Sequence, residues 1–215
     1  MCGLIAAWDP LRQYNKALNK AVKDLEHRGP DSQNTILIDE QKIFLAHTRL
    51  KIIDVSDNAN QPFFSPCGRW ILIYNGEIYN FREIRKEIGD RWSWKTMSDT
   101  EVLLAAWTLW GKKCLSKLVG MFAFIINDTK NKTLIIVRDR FGIKPLYRLT
   151  QKNLIAFASE INPLLRLQKN IAPDNDIIRT YLETGLYDHS NKTFFNEISS
   201  IKTGSITEIY LYQNK

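Results

Sequence analysis

The chain has 215 residues, 44% hydrophobic and 25% charged, a balance suited to one domain with a substantial core. Its longest apolar run, Leu118 to Ile126, is far short of the ~20 residues that span a bilayer, so neither a membrane segment nor a secretory signal is expected. The net charge is +7, but the basic residues are scattered (KALNKAVKD, REIRKE, GKK, KNK) without interleaved aromatics, which argues against a nucleic-acid partner.

The opening CGLIAAW reads as a buried strand. In QYNKALNKAVKDLEHRGPD, Tyr14, Leu18, Ala21, Val22 and Leu25 fall at helical spacing, and Gly29-Pro30 ends the helix. NTILID and KIFLAHTRLKII follow as strands, the second ending near Arg49. GRWILIYNGEIYN is a strand running into Asn75-Gly76, a pair that marks a hairpin turn when it lies between apolar residues. NFREIRKEIGD predicts a helix with an Asn80–Glu83 capping arrangement and an apolar face of Phe81, Ile84 and Ile88. SDTEVLLAAWTLWG repeats the device with Ser98 and Glu101.

Further on, GMFAFIINDTKNKTLIIVRDR predicts a hairpin around DTKNK, and NLIAFASE another strand. DNDIIRTYLETG is a helix from near Asp174 closed by Gly185, and SITEIYL a last short strand before the polar tail QNK. Paired strands with helices in blocks imply α+β layering rather than βαβ units. No repeat or low-complexity linker interrupts the chain, so 1–215 is expected to be a single domain.

The three cysteines are odd in number and widely spaced, which points to a reducing, cytoplasmic compartment. All ten glycines are isolated, so there is no dinucleotide fingerprint and no P-loop. His27, His47 and His189 lie far apart, and no Cys/His pair has ligand spacing, so no metal site is expected. What remains is Cys2, directly behind Met1. Loss of the methionine would leave one residue with both a thiol and a free α-amine. Taken alone, Cys2 reads rather as a small buried hydrophobe on the first strand.

Six fragments occur in order: MCG, HRGPD (27–31), HTRLKIID (47–54), NGEIYN (75–80), SDTE (98–101) and RDRFGIKPLY (138–147). The series resembles the glutaminase domain of class II (N-terminal nucleophile) glutamine amidotransferases, most of all the amino-terminal half of glutamine-hydrolysing asparagine synthetases. The resemblance implies a four-layer αββα sandwich of two antiparallel sheets between helices. It also implies hydrolysis of L-glutamine to glutamate and ammonia through a Cys2 thioester. The chemistry agrees: a thiol with a free pKa of ~8.5 needs a base, and an α-amine at ~7.7–8.0 on the same residue can act as one. An internal cysteine has no such amine.

The family's oxyanion donors correspond to the side-chain amide of Asn75 and the backbone N–H of Gly76. Arg49 suits a bidentate grip on the substrate α-carboxylate. Asp99, with Glu77 nearby, suits the α-ammonium, although an acid at a helix start is also favoured by the dipole. The resemblance further implies backbone contacts from Leu50, Lys51, Ile52 and Ile53. HRGPD is expected to stop a helix and fix a turn, and RDRFGIKPLY to pack beneath the site or face a partner domain.

Asparagine synthetases carry a second domain with an S-G-G-x-D phosphate loop, which this sequence does not contain. ATP and magnesium are therefore expected only for an absent synthetase domain or subunit, with no cofactor in this chain. The partners expected are L-glutamine and that synthetase, with a homodimer as an allowed assembly. The rival expectation is a glutamine-binding domain that regulates a synthetase without catalysis.

Overall fold

The central strands are apolar at consecutive positions, so each must bury both faces. A computed structural model describes residues 1–211 and shows how this is achieved. In chain order the elements begin with β1 (Gly3–Trp8), α1 (Asn15–Lys23), β2 (Ser32–Ile38), β3 (Ile43–Arg49), β4 (Phe63–Phe64), β5 (Trp70–Ile78), α2 (Phe81–Ile88) and α3 (Asp99–Trp110). There follow β6 (Gly120–Asp128), β7 (Thr133–Arg138), β8 (Tyr147–Gln151), β9 (Leu154–Ala158), α4 (Ile161–Leu165), α5 (Asn175–Thr184), β10 (Ile198–Ser200) and β11 (Ile206–Tyr210). One sheet has six strands in the order β10-β8-β9-β1-β3-β2, the other five in the order β11-β7-β6-β5-β4. Every ladder between these strands is antiparallel.

Side chains alternate along each strand, and the alternation sorts three cores. Leu4 and Ala6 of β1, Leu45 of β3, Ile71 and Ile73 of β5, and Ile125 of β6 fill the space between the sheets. Ile5, Ala7 and Ala46 face the other way, onto Leu18, Ala21 and Val22 of α1 and Leu164 of α4. Leu72, Tyr74, Phe122 and Phe124 pack against Ile84 and Ile88 of α2 and Leu103 of α3. The result is the expected αββα sandwich.

Local signals mislead in two places. Asn75-Gly76 is not a turn: it lies inside β5, opposite Ala123 and Phe122 of β6. A Cβ at residue 76 would run into the Met121 carbonyl oxygen and the Tyr74 ring. Here the glycine serves a close backbone approach within a sheet rather than a change of direction. The capping boxes are also incomplete. Asn80 precedes α2 without capping it; its side chain donates to the Lys117 carbonyl (2.9 Å) and accepts from Val119 N–H (3.0 Å), tying the helix to the entry of β6.

Ser98 does cap α3, accepting from Thr100 N–H at 3.1 Å. Glu101, however, reaches the turn before the helix rather than the cap. Its buried carboxylate accepts from Trp92 Nε1, Lys95 N–H, Thr96 N–H and Thr96 Oγ1. Asp174 caps α5 and Gly185 closes it in the left-handed region, as expected. The short elements β4, β8, β10 and α4 carry no sequence signal of their own, and the tail 213–215 lies outside the described residues.

The Glu101 carboxylate thus fixes how α3 enters the sandwich. Glu101→Ala should strand those donors and lower the unfolding free energy by roughly 3 kcal/mol, read as a fall in the urea midpoint. A loss below about 1 kcal/mol would mean that the turn holds itself.

Candidate active site

The inter-sheet rows change character at one end of the sandwich. On β1 the row Ala6, Leu4 continues to Cys2; on β3, Ile43 and Leu45 give way to His47 and Arg49; on β5, Ile71 and Ile73 give way to Asn75 and Glu77. Two-residue periodicity alone therefore delivers thiol, guanidinium, amide and carboxylate to the open end of one core. The N-terminus of α3 adds Asp99 from the side. Together they line a cavity of about 330 Å³. Of the residues expected to act, Cys2, Arg49, Leu50, Ile52, Ile53, Asn75, Gly76, Glu77 and Asp99 all line it. Lys51 is not among the lining residues: its N–H donates to Asp31 (2.8 Å) and its Nζ pairs with Asp57 (2.8 Å) on the outer side of the loop.

The Cys2 sulfur accepts from the Leu50 N–H at 3.4 Å. Burial pushes the thiol up, opposed by that hydrogen bond. The Cys2 carbonyl is held by Arg28, whose Nε donates to it at 2.9 Å. Arg28 is itself buried and paired with Glu160 at 2.8 Å, which also meets His27 Nε2 at 2.9 Å. HRGPD therefore does more than end a helix. Its Gly29 sits where a Cβ would strike the backbone of Thr48 and Arg49, so the turn presses directly on β3 beside the site.

Arg49 is buried, with Nη1 donating to the Ser56 carbonyl (2.7 Å) and Asn60 Oδ1 (2.8 Å), and Nη2 to the Asp54 carbonyl. Asp54 in turn accepts from Met97 N–H at 2.8 Å, linking this loop to the turn before α3. Asp99 Oδ2 accepts from the Tyr74 hydroxyl (2.7 Å) and from Ile78 N–H (3.1 Å). Burial pushes the Asp99 carboxyl above the usual range despite these bonds, and Glu77 adds to the effect. Asn75 is 2% exposed, and its Nδ2 has no hydrogen-bond partner among the described residues. An unpaired buried amide donor facing a cavity is a costly arrangement, normally relieved by a ligand or water.

Four residues without an assigned role in the sequence reading join the site: Arg28, Gln61, Tyr74 and Lys144. Arg28 and Lys144 lay within two of the motif fragments, so the signal was present without a chemistry attached. Asp139 shapes the loop that delivers Lys144, accepting from the N–H groups of Phe141, Ile143 and Lys144. RDRFGIKPLY thus packs against the site, as one of its two expectations held. Among the described residues no cluster of His, Cys, Asp and Glu is placed to hold a metal ion, and no helix is long and apolar enough to cross a membrane.

The same fold occurs in the glutamine phosphoribosylpyrophosphate amidotransferase of B. subtilis, with a TM-score of 0.64 and 18% identity over 99% of this chain and 50% of that one. A structure of the allosteric regulatory enzyme of purine biosynthesis gives 0.66 and 17% with the same coverage. These neighbours establish the fold, that of Ntn-type amidotransferases. The family model of the glutamine amidotransferase domain matches residues 1–215, and the chain belongs to that family.

Among its relatives, a glutamine-hydrolysing asparagine synthetase of Bacillus subtilis is 37% identical over 188 residues, 85% of this chain and 29% of the relative. Asparagine synthetase B of Escherichia coli is 36% identical over 175 residues, 80% of this chain and 31% of the relative. Amidase chry2 of Gibberella zeae is 34% identical over 154 residues, 72% of this chain and 23% of the relative. The chain thus spans less than a third of the length of these relatives.

His47 lies beneath the site with Nε2 3.0 Å from the Tyr74 carbonyl, to which it must donate, and burial pushes it down to about 4. Above pH 6.5, the ordinary value, it is neutral in folded and unfolded chains alike and contributes nothing. Between 6.5 and about 4 only the unfolded chain takes the proton, so stability falls as pH falls, by roughly 3 kcal/mol. Urea unfolding at pH 7 and pH 4.5 should show a smaller drop for His47→Gln than for the unaltered protein; equal drops would assign the loss elsewhere.

Proposed function

We propose that the chain hydrolyses L-glutamine to glutamate and ammonia through a thioester on Cys2, and that the ammonia passes to an asparagine-synthetase-like domain or subunit. The observation that carries this reading is the Asn75 Nδ2, a buried donor without a partner, in the same cavity as the Cys2 thiol. It is suited to a negative oxygen that exists only while a carboxamide is under attack.

With Met1 removed, the Cys2 α-amine takes the Sγ proton, directly or through one water. The thiolate adds to the side-chain carbonyl carbon of glutamine, forming the C–S bond. The resulting oxyanion accepts from Asn75 Nδ2 and Gly76 N–H, each worth ~2.7–4 kcal/mol at the transition state. The C–N bond then breaks and the amine's proton leaves with ammonia. Water, deprotonated by the same amine, cleaves the thioester and releases glutamate. The raised thiol accounts for the need of a base so close: buried and alone, it would stay protonated.

At the other end of the substrate, the three Arg49 bonds engage both Nη1 hydrogens and one of Nη2, which leaves the Nε hydrogen and one Nη2 hydrogen for a carboxylate. Asp99, short of a cationic partner, gains from an incoming ammonium, with Glu77 in support. Leu50, Ile52 and Ile53 are assigned backbone contacts with the ligand; Lys51, whose N–H is taken by Asp31 and which does not line the cavity, is not. The chemistry draws on no metal or cofactor in this chain; ATP and magnesium belong to the synthetase, whose acceptor is aspartate or another carboxylate. The protein is read as cytoplasmic, without nucleic-acid or membrane partners, and compatible with a homodimer. The relatives named as glutamine-hydrolysing support the substrate class.

Protein whose intact mass confirms loss of Met1 should release glutamate from glutamine. Cys2→Ala should abolish turnover yet still bind glutamine. Asn75→Ala should lower kcat by about 10²–10³ with little change in affinity, whereas Arg49→Ala should weaken binding about 10–100-fold. Undiminished turnover in Cys2→Ala would sink the thioester. Glutamine binding without turnover by the processed chain would leave the regulatory-domain reading in its place.

A further inference from the structure

We propose that Gln61 is a positioning residue that fixes the span between Asn75 and Asp99, the two ends of the glutamine site; the inference rests on the function proposed above. The β4–β5 ladder pairs Phe63 with Leu72 and Phe64 with Ile71, so the same register would set residue 61 opposite Tyr74. But β4 has only two residues, and its main-chain pairing stops before that point. The Gln61 side chain supplies what the backbone does not. Its Oε1 accepts from Tyr74 N–H at 2.6 Å and its Nε2 donates to the Tyr74 carbonyl at 3.3 Å, the two bonds that an amide of a neighbouring strand would make.

The second Nε2 hydrogen goes elsewhere. It donates to Thr100 Oγ1 at 3.3 Å, in the first turn of α3 and one residue beyond Asp99. A single side-chain amide, 4% exposed, therefore joins the two walls of the cavity. One wall is β5, where Tyr74 immediately precedes Asn75 and Gly76. The other is the α3 terminus with Asp99, which Tyr74 also reaches through its hydroxyl. Glutamine must present its carboxamide to the first wall and its ammonium to the second at once. The length it can bridge is the distance these bonds hold constant.

The test compares glutamine with glutaramate, the same molecule without its α-ammonium, binding to Cys2→Ala protein by calorimetry. Gln61→Met keeps the length and bulk of the side chain and removes all three hydrogen bonds. If Gln61 holds Asp99 in register with Asn75, glutamine affinity falls about 10–100-fold while glutaramate affinity changes far less, so the preference for glutamine collapses. If Gln61 is a general prop, both ligands weaken together and the ratio stands, which overturns the assignment.

Should Gln61→Met fail to fold, Thr100→Val cuts only the link to α3. There too a collapsed ratio supports the role and an unchanged one refutes it. Binding of neither ligand by the Cys2→Ala parent would overturn the glutamine reading and this assignment with it. Ordinary discrimination in the parent and both variants would overturn this assignment alone.

Discussion

Burial on both faces of the two central sheets is the constraint from which the rest follows. A strand that is covered above and below has only its ends left for chemistry. Because side chains alternate strictly, the inter-sheet rows of β1, β3 and β5 must run to the same end of the sandwich. Where those rows cease to be apolar, their next members meet: Cys2, Arg49, Asn75 and Glu77. The site is the polar terminus of the core rather than a feature laid over it. That is why residues as far apart in sequence as Cys2 and Glu77 can converge without a dedicated loop for each.

The geometry also explains what could be read from the sequence. Apolar runs such as LIAA, IFLA, WILIY and MFAFII mark two-faced burial directly, and they located the central strands. The motif fragments contain the cavity-lining residues apart from Gln61, Tyr74 and Met121, but four residues of the site, Arg28, Gln61, Tyr74 and Lys144, had no chemistry attached to them. Those four failed to declare themselves for a physical reason. Arg28 and Gln61 act by hydrogen bonds to main-chain atoms, on Cys2 and Tyr74, and such bonds leave no periodicity or spacing to detect. Tyr74 looked like one more strand aromatic, and Lys144 depends on a loop shaped by Asp139. The misreading of Asn75-Gly76 has a similar origin. A dipeptide preference reports local cost, and a strand partner lying close along the whole of β5 outweighs it.

The cavity works against stability in a consistent way. It holds a carboxylate raised by burial, an amide donor without a partner, and a guanidinium held mainly by loop carbonyls. Each would be better satisfied by the zwitterionic substrate of the proposed function. Such local deficits are what a preorganised site costs, and ligand binding offsets them. The surrounding polar clamps, Glu101 on the turn before α3 and Asp54 between two loops, hold the walls of the cavity in place.

The grip of Arg28 on the Cys2 carbonyl bears on the maturation that the proposed mechanism requires. Cys2 is fixed from its C-terminal side by that bond and at its sulfur by the Leu50 N–H. Met1, by contrast, is 56% exposed. Cleaving the bond between residues 1 and 2 therefore removes atoms from one side of a residue already held from the other. On the proposed mechanism, maturation would be a subtraction rather than a refolding: loss of the half-exposed Met1 would leave Cys2 already in position.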